Sequence, residues 1–426
     1  MLGKLRSGFR ACTLAILRFF PGLRRQTRKF YWYLRGRGYK RLSRGLVIEE
    51  RTVLFESYQG RSCSCSPKAI FLAMCADERF SDWQFIWSLR EGQAATAKPF
   101  LVARASIVVR GSEEYFKACA RARYWIVNNR MPEWIKPRPE QVFVQCWHGT
   151  PLKRLGYDVT IKTKAALNTA EELSWRFGID AAKWSYLLSP SSFTSECLAS
   201  AFGLQSLTHG PRIIEEGYPR NDSIAQTLNS SKRDKLIEDL RRQLSIPQGR
   251  RVLLYAPTWR DSIYHAGKGY GSGEMPDFER MREALGEQWV VLLRTHYYVE
   301  NREVLDVQRD FLIDATETSD INDLYLVADA LLTDYSSVLF DYANTGRPVV
   351  YYWPDFEEYQ KDIRGFYFDP TTLPGDQCTT TDEVVAALFA LDTWQERYGS
   401  SYQTFRSHFC PKDDGHAAKR VIAKIF

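Results

Sequence analysis

A chain of 426 residues is too long for one hydrophobic core, since domains usually close at about 100–200 residues, and two domains are expected. Its 44% apolar and 26% charged residues are the composition of a folded globular chain, which excludes both a disordered chain and a polytopic membrane protein. The net charge of +7 is local: thirteen Lys or Arg and no acid fall within positions 1–45, leaving the remainder net acidic.

Within that first stretch Lys4, Arg6, Arg10, Arg18, Arg24, Arg25, Arg28 and Lys29 alternate with apolar residues such as Leu5, Phe9, Leu14 and Phe19, and the aromatic run Phe30-Tyr31-Trp32-Tyr33 follows. The apolar run Ala11–Leu17 stops far short of the roughly 20 residues that span a bilayer. No longer apolar region with a small-residue cleavage site marks a secretory signal. Segment 1–45 is therefore expected to be a basic amphipathic element on an anionic membrane surface, with cations on phosphates and aromatic rings among the headgroups. A solvated basic arm or a nucleic-acid contact is the alternative. The nine cysteines are odd in number and scattered, and Cys63 and Cys65 lack the usual two-residue gap of a zinc site. Reduced thiols in a cytoplasmic protein are expected.

Short apolar runs follow at Val53–Phe55, Trp83–Leu89, Ile107–Val109, Tyr124–Val127, Val142–Trp147 and Tyr186–Leu188, with helical patterns at Glu113–Ala122 and Ala165–Phe177. Buried strands alternating with helices predict a parallel sheet. Between Asn229 and Arg250 the chain turns charged and helical and ends in Ile246-Pro247-Gln248-Gly249, which marks a boundary. A second series begins at Val252–Tyr255 and continues through Trp289–Leu293, Phe311–Ile313, Ala330–Leu332 and Pro348–Tyr352, with a helix at Ile321–Ala328. The expected α/β fold has two Rossmann-like domains, 46–245 and 246–400, facing a cleft in the glycosyltransferase-B manner, then a helix over 401–426.

Five segments carry candidate chemistry, most of them just after a predicted strand, where open α/β sheets meet their ligands. Cys146-Trp147-His148-Gly149-Thr150-Pro151 displays an imidazole suited to take a proton from a hydroxyl, although a lone histidine equally serves structural roles. Ala256-Pro257-Thr258-Trp259-Arg260-Asp261 and Arg294-Thr295-His296 place guanidinium forks for phosphate oxygens, or for a carboxylate partner such as Asp261. Thr333-Asp334-Tyr335-Ser336-Ser337 precedes a helix start, so its hydroxyls suit either an anion or simple N-caps. Gly217-Tyr218-Pro219-Arg220-Asn221-Asp222 alone reads as a loop.

In this order and spacing, the five segments, with Phe340-Asp341-Tyr342-Ala343 and the closing Asp414-Gly415-His416-Ala417, resemble the CDP-glycerol:poly(glycerophosphate) glycerophosphotransferase family, which builds teichoic-acid backbones and related capsule polymers. The resemblance covers about positions 50–426. It implies transfer of glycerol phosphate from CDP-glycerol to a lipid-linked or polymer acceptor with release of CMP, at the cytoplasmic face of the membrane. Members that use CDP-ribitol leave the polyol open. On this reading His148 is the base, while Arg294 and His296 neutralise the phosphoryl oxygens. Gly149, Thr150, Arg220, Thr258, Arg260, Thr333, Asp334, Ser336, Ser337 and Asp341 hold substrate. Tyr297-Tyr298 departs from the pattern by following His296 where a smaller residue or proline is expected. With no Asp-x-Asp pair in the chain, neither metal nor cofactor is expected, and no nucleic acid. A nucleotide-sugar glycosyltransferase and a non-catalytic membrane-surface adaptor are the rival readings.

Overall fold

The computed structural model describes residues 20–95, 101, 103–160, 169–265, 269–272, 274–294, 310–318, 320–360 and 365–426. Two parallel sheets carry the fold. The first joins β1 (Glu49–Glu56), β2 (Gln84–Leu89), β3 (Ser106–Val109), β4 (Ala122–Val127), β5 (Val142–Gln145), β6 (Tyr186–Ser189) and β7 (Arg212–Glu215) in the order β3-β2-β1-β4-β5-β6-β7. After it the short antiparallel ribbon β9 (Trp259–His265) and β10 (Gly269–Ser272) is inserted behind the first strand of the second sheet. That sheet joins β8 (Arg251–Ala256), β11 (Trp289–Leu293), β12 (Leu312–Asp314), β13 (Ala330–Thr333), β14 (Val349–Tyr352) and β15 (Asp376–Cys378) in the order β12-β11-β8-β13-β14-β15.

Both sheets are covered on both faces, which is why their central strands are continuous apolar runs rather than alternating ones. In β1, Leu54 packs with Trp125 and Phe143, while Val53 and Phe55 point the other way onto Phe71 and Trp87. In β8, Val252 and Leu254 join one core with Leu292 and Leu331, and Leu253 and Tyr255 join another with Phe278 and Met281. Each sheet reverses its strand order once, between β1 and β4 and between β8 and β13. Loops diverge at such reversals and leave a crevice at the carboxyl ends of the strands.

Residues 1–19, including the apolar run Ala11–Leu17, lie outside the described residues. The helix Pro21–Arg44 starts with proline at its first turn, where the missing N–H costs nothing. One face of it packs on the first half of the chain: buried Arg24 pairs with Glu172, Trp32 stacks on Trp175 at 5.1 Å, and Tyr39 joins the core. Its other face exposes Leu23, Phe30, Tyr31 and Leu34. The helix expected over Ala165–Phe177 is Ala170–Ala181, fixed by a capping box between Thr169 and Glu172.

Residues 401–426 hold the end of the helix Trp394–Phe409 and, after a turn, the helix Ala417–Ile425. The former packs on the second sheet through Trp394, Tyr402 and Phe405, whereas the latter returns to the first through Val421 and Ile422. The chain thus passes between the sheets twice, at 216–250 and at 410–417. The crossings touch: Tyr218 N donates to Asp413 Oδ1 at 2.7 Å, and Ala417 N and Ala418 N donate to Asp222 at 2.9 and 2.8 Å. Among the described residues no helix is long and apolar enough to cross a membrane.

Candidate active site

Strand tips of both sheets line one cavity of about 640 Å³. Tyr58, His148 and Gly149 enter it from the first sheet, and Thr258, Arg294 and Ser337 from the second.

On the first side β5 delivers Trp147 and His148. Trp147 takes a left-handed backbone (φ 50), and its buried ring rests on Phe202 at 5.0 Å, so the turn that presents His148 is locked by packing. His148 Nδ1 lies 2.8 Å from the carbonyl oxygen of Asn128. A carbonyl only accepts, so Nδ1 carries the hydrogen and Nε2 keeps the basic lone pair. The ring is exposed to the cavity yet enclosed by protein. Desolvation lowers its pKa from the usual value to about 4, against the Asn128 hydrogen bond and with help from nearby Arg220. Water in the cavity screens that shift without reversing it, so the ring is neutral at pH 7. Gly149 follows where a side chain would force Ser337 to shift: a Cβ there would lie 2.6 Å from Ser337 Oγ and 3.1 Å from Ser337 Cβ. Thr150 is buried beside it.

On the second side Arg294, at the tip of β11, donates through Nη1 to the carbonyl of Ala315 at 2.8 Å and to that of Thr318. Its guanidinium is thereby aimed at the cavity, and desolvation pulls its pKa down from the usual arginine value. Ser336 and Ser337 also line the cavity, and Ser336 Oγ accepts from Val338 N at 3.4 Å. The helix that they precede, Val338–Tyr342, is short, so their contribution is hydroxyls and local amides rather than a macrodipole.

Four residues expected to hold substrate make hydrogen bonds within the protein. Thr333 donates its hydroxyl to Ala256 O at 2.9 Å, which ties β13 to β8. Asp334 accepts from Thr258 N at 2.9 Å and from the Thr258 hydroxyl at 2.9 Å, so its carboxylate fixes that loop. Arg220 and Asp341 line the cavity but pair with each other, Nε and Nη2 reaching Asp341 Oδ1 at 3.0 and 2.7 Å, deep between the sheets. Burial raises the Asp341 pKa, and the Arg220 charge opposes that rise. Asn221 extends the network to Asp413, whose carboxyl burial pushes up to about 6. His296, Thr295, Tyr297 and Tyr298 lie outside the described residues, as does the side chain of Arg260, whose backbone belongs to β9.

Sequence reasoning missed the strand tips of β1, β2 and β4. Asn128 and Asn129 follow β4 and accept from Tyr58 N and Gln59 N, each at 2.8 Å. Buried Glu56 in turn accepts from Asn129 Nδ2 at 2.9 Å and Ser88 Oγ at 2.7 Å and pairs with Arg110. The available signal was the rule applied elsewhere: two asparagines directly after the apolar run Tyr124–Val127 occupy a strand tip. Lys68 bridges to Asp320 of the second half at 2.7 Å, which no local pattern discloses.

Residues 39–426 match the model of the family described as CDP-Glycerol:Poly(glycerophosphate) glycerophosphotransferase. The teichoic acid glycerol-phosphate transferase of Staphylococcus aureus is 34% identical over 375 residues, 88% of this chain and 92% of that protein. A teichoic acid poly(glycerol phosphate) polymerase of Bacillus subtilis is 35% identical over 382 residues; the match covers 89% of this chain and 49% of that protein, so the chain spans about half that relative's length. The wall teichoic acid polymerase TagF, in a structure soaked with CDPG, superposes with a TM-score of 0.79 at 31% identity, over 100% of this chain and 97% of that one. The chain belongs to the CDP-glycerol:poly(glycerophosphate) glycerophosphotransferase family.

Proposed function

We propose that this chain moves glycerol phosphate from CDP-glycerol onto a hydroxyl of a lipid-linked or polymer acceptor and releases CMP. The observation that carries the reading is a neutral imidazole, with Nε2 as its basic atom, lining the same cavity as Arg294 and the hydroxyls of Ser336 and Ser337. On this reading the chain has two Rossmann-like domains, 46–245 and 246–400, with the cavity as the cleft between them, a division that the two parallel sheets support.

The acceptor oxygen attacks the glycerol-linked phosphorus, and its proton passes to His148 Nε2. The bond from that phosphorus to the bridging oxygen breaks, and CMP leaves with the electron pair. Arg294, with His296 two residues on, balances the charge that spreads over the phosphoryl oxygens, the role that dominates phosphoryl transfer. Ser336, Ser337, Thr258 and Arg260 position the donor, Gly149 lets the two sides approach, and Thr150 supports the turn. Thr333, Asp334, Arg220 and Asp341 keep the strand tips in register. The exposed apolar face of the helix Pro21–Arg44, with its cations, lies on anionic lipid at the cytoplasmic membrane face.

The test is CMP release by the purified chain given CDP-glycerol or CDP-ribitol, with and without a lipid-linked glycerol-phosphate acceptor. Acceptor-dependent CMP from CDP-glycerol is expected. A preference for CDP-ribitol would replace the polyol. Turnover of nucleotide sugars with release of a nucleoside diphosphate would replace the reaction, and folded protein inert with every donor would leave the adaptor reading.

A further inference from the structure

The first-sheet side of the cavity holds cations that the proposed donor site does not use. Arg61 and Arg90 both line it. Arg61 Nη1 donates to the carbonyl of Tyr58 at 3.2 Å and Arg90 Nε to that of Gln59 at 3.3 Å, so both guanidinium groups are carried by one turn. That turn is rigid. Tyr58, Gln59 and Gly60 all have left-handed backbones, Asn128 and Asn129 pin its amides, and a Cβ on Gly60 would lie 3.0 Å from Arg90 N.

Directly after the turn, the helix Cys65–Cys75 points its amino end at the same space, with no acid in its first turn. Its N-cap, Ser64, makes no side-chain bond to the helix amides; its hydroxyl hydrogen-bonds with that of Ser62 at 2.7 Å. Two anchored guanidinium groups, a helix amino end and paired hydroxyls line the same cavity, the composition of a phosphate site. The charge is segregated as well. Among the described residues, the acids lining the cavity, Glu317, Asp320 and Asp341, come from the second half of the chain, and Asp320 and Asp341 pair with Lys68 and Arg220. The Tyr58 ring is 6.2 Å from that of His148, so the cationic turn flanks the base.

We infer that Arg61, Arg90 and the amino end of the helix Cys65–Cys75 bind a phosphodiester of the acceptor, the one that precedes the attacking hydroxyl. The inference rests on the reaction proposed above, in which the donor phosphates occupy the opposite side. A chain that ends in glycerol joined through phosphate would present its terminal hydroxyl to His148 Nε2 with its last phosphate one glycerol unit behind. An acceptor would then be selected for being already phosphorylated, whatever lipid carries it.

Calorimetric titration of the full chain with a short soluble glycerol-phosphate oligomer tests this apart from turnover. Affinity should fall about tenfold or more in R61Q/R90Q and recover substantially in R61K/R90K, because a lysine keeps the charge and loses only the fork. Binding should also weaken as salt is raised. In steady state, R61Q/R90Q should raise the acceptor KM by a similar factor and shift the CDP-glycerol KM less than twofold. Oligomer affinity equal to wild type in folded R61Q/R90Q would overturn the inference. So would a rise confined to the CDP-glycerol KM, which would assign the arginines to the donor. Wild-type protein that binds the oligomer through these arginines but releases no CMP would instead overturn the proposed reaction and leave the subsite standing.

Discussion

Removing the carboxylate from Asp341 should cost more stability than almost any other single change in the chain. Arg220 and Asp341 are nearly inaccessible, with side chains 6% and 10% exposed, and join the crossing at 216–250 to the second half of the fold. Two guanidinium nitrogens reach Asp341 Oδ1, and the third lies 3.8 Å from Cys65 Sγ. In D341A the arginine stays buried and charged with no carboxylate, a loss of about 3–5 kcal/mol. Replacing both partners with apolar residues of similar volume, R220M/D341L, removes the buried charge with its counter-charge and should come within about 1–2 kcal/mol of wild type. Denaturant unfolding followed by tryptophan fluorescence, on wild type, both single variants and the double, gives the coupling directly. A cost below about 1 kcal/mol for D341A would show the pair behaving like a surface one and refute the reasoning. CMP release adds a second reading: a wall pair predicts that the folded double variant keeps more than about a tenth of wild-type turnover. Complete loss would return Arg220 to direct substrate contact.

H148A should lower acceptor-dependent CMP release by about 10²–10⁴ with an unchanged unfolding midpoint. Because enclosure lowers the His148 pKa, kcat/KM in wild type should stay level as pH falls through the ordinary histidine value of about 6.5 and drop only at lower pH, where the ring gains a proton; half-loss near 6.5 would contradict the desolvated ring. G149A should lower kcat/KM about tenfold or more because its Cβ meets Ser337 Oγ at 2.6 Å; wild-type kcat/KM in folded G149A would show that Ser337 gives way at no cost to the site. L23E/F30E/L34E changes three exposed positions on the helix Pro21–Arg44 and should reduce co-sedimentation with anionic vesicles at least tenfold, given roughly 1–2 kcal/mol for each apolar side chain in lipid, while CMP release on a soluble acceptor stays near wild type.

The parallel strands were legible because each is an apolar run with both faces covered. Val53–Phe55, Val252–Tyr255 and Trp289–Leu293 all fall inside observed strands. What stayed illegible is what composition does not encode. Strand β7 holds only Ile213 and Ile214 between charged residues, and β15 reads Asp-Gln-Cys, so neither carries an apolar run; both are edge strands, held by a single neighbour. In the helix Pro21–Arg44, the pattern of cations and aromatic rings that suits a lipid surface suits an intramolecular partner equally, and Arg24, Trp32 and Tyr39 turn inward to Glu172, Trp175 and Trp134. At the site, a strand-tip position announces that a side chain is displayed, but not whether it faces ligand or a neighbouring tip. Asp334 and His148 have the same position in sequence logic, yet His148 lines the cavity whereas Asp334 accepts from the amide of Thr258.

That distinction follows a rule repeated in both halves. At the first reversal of strand order, Asn128 and Asn129 on the tip of β4 hold the amides of Tyr58 and Gln59 after β1. At the second, Asp334 on the tip of β13 holds the amide of Thr258 after β8. In each case a short acceptor side chain bridges the pair of strands whose connections run in opposite directions. These are the places where the sheet cannot supply backbone partners of its own and an unmet amide would be costly. Further residues facing the cavity lie close to these pins: His148, held by the carbonyl of the same Asn128, and Ser336 and Ser337, just beyond Asp334. The pinning residues thus set the separation between the imidazole and the hydroxyls opposite. Shortening one of them, as in N128A, should therefore lower kcat more than it raises either KM, because near-attack geometry loosens while the ligand contacts remain. An N128A variant with wild-type kcat and a raised donor KM would show that Asn128 contacts the donor instead.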